Sequence, residues 1–216
     1  MAAIYKFSGV ADLQEFYGDL LIDYASHSVN NHLSLLAERL FEGYNDSNLV
    51  VIREINNYHP DWLGKGADQI LGAQLQLSDI QLCIASEYGF KTWQAVMDVD
   101  QPYDEYFETA LNALLEGEVQ SLKVLLNAHP NLVNQKSNYG HGATLLHYTG
   151  SNGVEMWRQQ VPMNLAEVTK TLLEAGADKS ATMQVYSGEF TTLQLITTSA
   201  HPYEAGIADD VVALLQ

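Results

Sequence analysis

Apolar positions recur at helical spacing through the first half of this chain, which therefore reads as a series of helices. Asp12 can cap a segment that carries Leu13, Phe16, Tyr17, Leu20, Leu21 and Tyr24 on one stripe. A second helix follows the Asn30-Asn31 pair, turns Leu33, Leu36, Leu40 and Phe41 inward, and is expected to stop at Gly43. A third spans roughly 49 to 58 and ends before Pro60, and a looser stretch follows over 61–72. In "LSDIQLCIASEYGFKTW", Ser78 and Gln81 have capping-box spacing, and Gly89 suits the left-handed position past the helix end. Thr92 can cap a short helix through Met97, and the run 98–104, with Pro102, reads as the main boundary.

Beyond that boundary a helix pair with a turn recurs. "ALLEGEVQSLKVLLNAHPNLVNQ" (113–135) is a helix ending at Gly117, a leucine-rich second helix and a turn. "NLAEVTKTLLEAGADKSA" (164–181) repeats its second half, with Val168, Leu172 and Leu173 matching Leu122, Leu125 and Leu126. "LFEGYNDSNLVVIREINNYHPD" (40–61) is a looser echo. Such a recurrence marks a solenoid, whose units bury their apolar faces only by stacking on neighbours.

Composition narrows the function classes. Acids outnumber bases 27 to 10, for a formal charge of −17. That argues against nucleic acid, since phosphate contact needs Lys and Arg, and it permits a basic protein partner. The one cysteine, Cys83, excludes an internal disulfide and sits in apolar company. No signal peptide is visible, and no run reaches the roughly 18 apolar residues of a membrane helix. The expected setting is soluble and cytoplasmic.

The repeating segment resembles ankyrin repeats. Thr144-Leu145-Leu146-His147 is similar to the family's Thr-Pro-Leu-His signature, and Leu172-Leu173-Glu174-Ala175-Gly176-Ala177-Asp178 to its Leu-Leu-x-x-Gly-Ala-Asp. A further unit begins at Thr191-Thr192-Leu193. The spacing from Thr144 to Thr191 exceeds the usual repeat of about 33 residues, so this unit carries an insertion, "VEMWRQQVPM" (154–163). The resemblance implies that Thr144 caps the first helix of its repeat. It also implies that His147 bonds to the same turn and to the neighbouring loop, with Gly142 allowing the tight turn before them. A Thr hydroxyl at a helix start can accept from a free amide of the first turn whatever the family. Three departures stand out: Leu145 in place of Pro, Tyr148-Thr149 in place of two small residues, and His129-Pro130 where Gly-Ala is usual. The segment from Leu77 to Trp93 is similar to the stretch preceding the repeats in a group of bacterial ankyrin-repeat proteins.

Motifs for chemistry are sparse. The histidines at 27, 32, 59, 129, 141, 147 and 201 include no His-x-x-x-His pair, and no cysteine cluster accompanies them, so no metal or other cofactor is expected. Gly-x-Ser-x-Gly and P-loop spacings are absent. What remains is surface. Solenoids of this kind bind through turns projecting between repeats, here "QKSNYGHG" (135–142) and "TMQVYSGEF" (182–190), whose tip candidates are Tyr139, His141, Met183 and Tyr186. In the insertion, Met156, Trp157 and Arg158 form an anchor-like triple before Pro162. At both places the alternative is packing: the tyrosines on the next finger, and Trp157 over an apolar edge left by Tyr148. The final "IADDVVALLQ" starts a helix whose Val211, Val212, Leu214 and Leu215 lack a following unit. It closes the stack, pairs with another chain, or continues in a longer protein.

The sequence thus predicts an all-α protein: an N-terminal helical region over 1–98, then degenerate ankyrin-like helix-turn-helix repeats over 103–216 (103–140, 141–190 and an incomplete 191–216). The expected function is non-catalytic protein recognition through the fingers and the insertion, with Tyr139, His141, Trp157, Arg158, Met183 and Tyr186 as contacts. Gly142, Thr144, Leu146, His147, Leu172, Leu173, Gly176, Ala177 and Asp178 form the structural motif. Two rivals are an acidic decoy of a basic protein and an enzyme whose site, near His59, Asp61 and Trp62, lies between the helical region and the repeats.

Overall fold

A computed structural model describes residues 2–22 and 24–216. The chain is mostly helical, and the only strand ladders among the described residues are two two-stranded ones. It divides into two compact units: residues 12–103, and residues 104–216 together with the first eleven. Residues 2–11, grouped by pattern with the N-terminal helices, therefore pack with the C-terminal unit. The change of unit falls inside helix α1 (Ser8–Tyr17), which starts earlier than Asp12 and stops at Gly18, a left-handed residue with φ +52°. The stripe predicted to run on to Tyr24 instead breaks into two short 3₁₀ turns.

The unit of residues 12–103 is built on α2 (Val29–Asn45), α3 (Leu49–Tyr58) and α5 (Leu77–Glu87), with short helices α4 (Ala67–Leu71) and α6 (Trp93–Met97) beside them. Helix α2 does not stop at Gly43 but runs through it. A Cβ at Gly43 would lie 2.6 Å from Val51 and 2.7 Å from the Phe16 ring, so this glycine serves close packing rather than termination. The box that starts α5 is Gln76 with Asp79, whose carboxylate accepts the Gln76 N–H at 2.7 Å, two residues before the predicted pair. Helix α3 matches its expected span, Thr92 accepts from the Ala95 N–H, and Gly89 is left-handed with the Phe90 N–H bonded to the Ala85 carbonyl.

In the other unit, α7 (Glu105–Leu115) and α8 (Val119–Ala128) form a helix pair turned at Gly117. A single helical turn, α9 (Leu145–Tyr148), precedes the insertion, which contains a 3₁₀ turn at Met156–Arg158 and strand β2 (Val161–Pro162). Strand β1 (Ile4–Tyr5) pairs antiparallel with β2. Helix α10 (Leu165–Glu174) leads to a hairpin of β3 (Thr182–Val185) and β4 (Gly188–Thr191). Helices α11 (Thr192–Thr198), α12 (Ala200–Glu204) and α13 (Ala208–Leu215) complete the unit. Leucines and valines from these elements form one core, including Leu111, Leu122, Leu146, Leu172 and Val211. Helix α13 lies on α10 and α11, burying Val211 and Leu215 and leaving Val212 and Leu214 half-buried.

Candidate functional site

The residues on which the repeat resemblance rests form a local bonding unit. His147 Nδ1 accepts from the Thr144 N–H at 3.1 Å and lies 2.9 Å from the Thr144 hydroxyl. Because Nδ1 accepts, the proton is on Nε2, which donates to the Ala181 carbonyl at 3.1 Å. Burial, with smaller contributions from His141 and Lys136, lowers the His147 pKa to about 4, so the ring is neutral at pH 7. Gly142 and Gly176 have φ of +59° and +95°, and the Ala177 N–H returns to the Leu172 carbonyl. Leu146 and Leu172 are buried, and Leu173 is half-buried. Asp178 accepts from the Ser180 amide and hydroxyl, which hold its carboxyl below the usual range. Asn134, missed by pattern reading, ties the preceding turn to this one. Its amide donates to the Gly176 carbonyl, and its oxygen accepts from the Asp178 N–H, both at 2.9 Å.

The insertion is not an exposed loop. Arg158 is only 1% exposed; its guanidinium donates to Glu108 Oε2 of α7 at 2.6 Å and lies 3.4 Å from Glu155 Oε1. The same Glu155 oxygen accepts from the Tyr148 hydroxyl at 3.1 Å and lies 3.4 Å from His141 Nε2. His141 Nδ1 accepts from the Ala143 N–H, which leaves the proton on Nε2, toward Glu155. That last contact has ion-pair distance but lacks hydrogen-bond alignment. Arg158 also lies over the rings of Trp157, at 4.4 Å, and Tyr139, at 5.7 Å. Burial pushes the Glu155 carboxyl up, but Arg158 and His141 outweigh it and hold the group ionised, below its usual value. Burial first, then the Glu155 charge, pushes the Tyr148 phenol well up.

These positions correct the expected contact set. Tyr139, His141, Trp157, Arg158 and Met183 are all buried, at 7% exposure or less, and cannot present a surface to a partner. The physical reason is the network: the insertion closes over α7, and its charge is neutralised by Glu108 and Glu155 rather than by solvent. Met183 faces inward from β3, whose Gln184 N–H donates to the His141 carbonyl, so the segments 135–142 and 182–190 are joined by backbone. Pattern reading missed Glu108 and Glu155 as partners and took Tyr148 only as an apolar edge for Trp157, although Glu155 stands three positions before Arg158 in the same insertion. Glu108 meets Arg158 across fifty positions, a pairing that only the fold creates.

Tyr186 is the exception, at 60% exposure. It and Ser187 form the two-residue tip of the β3–β4 hairpin, with φ of +51° and +63°. A type I′ turn requires positive φ at both positions, usually met by Asn and Gly; here a tyrosine and a serine take it. The Tyr186 hydroxyl donates to Asn152 Oδ1 at 2.6 Å, and its ring meets Phe190 edge-on at 6.3 Å. Asn152 in turn donates to the Leu195 carbonyl and the Thr198 hydroxyl. Desolvation raises the phenol's pKa, opposed by hydrogen bonding with the Gly153 backbone.

In the unit of residues 12–103, His59 is buried and its Nδ1 accepts from the Asp61 N–H at 3.2 Å, a local turn contact. Burial lowers its pKa, opposed by Asp61 and Asp79. A surface groove of about 430 Å³ lies between the end of α2 and residues 71–76, and no charged side chain lines it. Among the described residues no three His, Cys, Asp or Glu side chains are grouped to hold a metal, and no helix is long and apolar enough to cross a membrane. Comparison with protein-family models, curated proteins and solved structures finds no match to this chain.

Proposed function

We propose that this chain is a non-catalytic protein-recognition module, an ankyrin-like helical solenoid over 103–216 that engages a partner protein through the β3–β4 finger. The observation that carries this reading is Tyr186, an exposed aromatic in strained left-handed backbone, held in one orientation by Asn152. A tyrosine fixed before contact offers a large apolar face at little further cost in entropy. The ankyrin-like assignment is supported by the Thr144–His147–Ala181 bonds and by the helix pair and hairpin. The acidic charge of −17 favours a basic patch on the partner.

The test places a photo-crosslinking residue at Ser187, next to the tip, identifies the captured protein and purifies it. Its affinity for the Tyr186→Ala chain should fall by roughly thirtyfold, the scale of an interface hot spot, while the melting temperature stays put. An unchanged affinity for that purified partner sinks the reading. A second reading, an acidic decoy of a basic protein, rests on the net charge alone. It requires affinity to collapse with added salt and to ignore Tyr186→Ala.

A further inference from the structure

The first residues of the chain form a strap across the insertion. Ile4 pairs with Pro162 and Tyr5 with Val161, and the Met163 N–H donates to the Ala3 carbonyl at 2.8 Å. The Tyr5 hydroxyl donates to Glu204 Oε2 at 2.5 Å, and the Phe7 ring stacks on His201 at 5.4 Å and 18°. Gly117 floors the strap: a Cβ there would approach Ala2 to 3.1 Å and Pro162 to 2.9 Å. The seat is hydrogen-bonded from below. Asn164 donates to the Gly117 carbonyl at 2.9 Å, and His201 Nδ1 donates to the Gln159 carbonyl at 3.1 Å.

Seat and occupant differ in burial. Val161 and Pro162 are buried beneath the strap, whereas Ile4 and Tyr5 are only half-buried and Lys6 and Phe7 exposed. The strap is held by a short backbone ladder and two aromatic anchors, of which Tyr5 also packs against the edge of the unit's core. Lifting it uncovers an apolar strand edge with a free Met163 N–H, flanked by a carboxylate and an imidazole. That is the layout of strand addition, in which main-chain bonds supply affinity and side-chain positions supply selectivity.

We propose that the Val161–Met163 edge, with Gly117, His201 and Glu204, is a binding slot for an extended peptide supplied by another protein, and that residues 2–7 occupy it in cis as an autoinhibitory strap. The occupant it selects repeats the strap's own chemistry: small residues over Gly117, a tyrosine reaching Glu204, and an aromatic two residues later against His201. The slot is separate from the Tyr186 finger and does not depend on it.

The test measures binding of a fluorescein-labelled peptide AAIYKFSG to the full-length chain and to two strap-weakened full-length variants, Tyr5→Ala/Phe7→Ala and Glu204→Gln. All three substituted side chains lie at or near the surface, and melting curves verify folding. A tethered strap competes at an effective concentration near the millimolar range. The peptide should therefore bind Tyr5→Ala/Phe7→Ala at least about tenfold more tightly than wild type. Replacing the peptide's tyrosine by alanine should abolish this. Glu204→Gln keeps the backbone ladder, so it should loosen the strap while removing the preference for tyrosine. Adding Tyr186→Ala should leave peptide binding unchanged, which separates this slot from the finger. Equal binding to wild type and the double variant, or no saturable binding to any chain, overturns the proposal. So does concentration-dependent dimerisation without peptide binding, which would give the slot to a second copy of the chain.

Discussion

Replacing Arg158 by methionine removes a buried positive charge while keeping much of the side chain's volume. Glu108 and Glu155 then lose the guanidinium that contacts them at 2.6 and 3.4 Å and is itself only 1% exposed, while Glu155 keeps His141 at 3.4 Å and the Tyr148 hydroxyl. Removing one partner of a buried ion pair costs about 3–5 kcal/mol. With an unfolding entropy near 2.1 cal/mol/K per residue, a unit of roughly 120 residues should lose about 12–20 °C in melting temperature. Trp157, stacked under Arg158, is the natural probe; Trp62→Phe and Trp93→Phe remove the other two indoles, so its fluorescence reports this unit alone. Urea titrations of that background with and without Arg158→Met give the difference directly. The same reasoning demands rescue: adding Glu108→Gln and Glu155→Gln to Arg158→Met removes the charges that the guanidinium had offset and should recover most of the loss. A single-variant cost under about 1 kcal/mol, or a triple variant no more stable than Arg158→Met, would refute the view that charge pairing holds the insertion down.

Trp157→Ala should cost about 3–5 kcal/mol by core truncation rather than act as a silent surface change; an unshifted urea midpoint contradicts the buried placement. His147 has a pKa lowered from 6.5 to about 4. Its contribution is therefore complete above the unfolded value and lost as pH falls through that interval, worth up to about 3 kcal/mol. Stability measured from pH 7 to 4 should fall accordingly, and His147→Gln should flatten that limb; an unaltered slope in the variant rules the histidine out. Glu54 behaves in the opposite sense. Burial first, then the Glu87 charge, raises its carboxyl well above the usual range, against Arg53. Its protonated form suits the fold, so its contribution is present at acid pH and lost as pH rises through the raised value. Glu54→Gln should therefore raise the neutral-pH stability of the 12–103 unit, with little effect at acid pH; a loss of stability at neutral pH would count against a protonated Glu54.

Sequence periodicity by itself determined what depends on neighbours in the chain. Helix α3, the Thr92 cap, the Gly89 stop, the α7–α8 pair around Gly117 and the start of α11 at Thr191 all follow from a few adjacent residues, because capping and turn geometry are local. The close contacts of Thr144 with His147 belong to the same class, spanning three positions. Only the tertiary structure decided which polar residues are interior. Trp157 and Arg158 look like surface anchors in a ten-residue insertion until Glu108, fifty positions away, neutralises the guanidinium. Gly43 looks like a helix stop until Phe16 and Val51 fill the space where its side chain would be. The opening residues carry no helical stripe, and their role as a strap exists only because Val161 and Met163 present a strand edge to them. Local bonds are written in adjacent letters; burial of a charge, close approach at a glycine and pairing of remote strands are set by which distant residues the folded chain brings together.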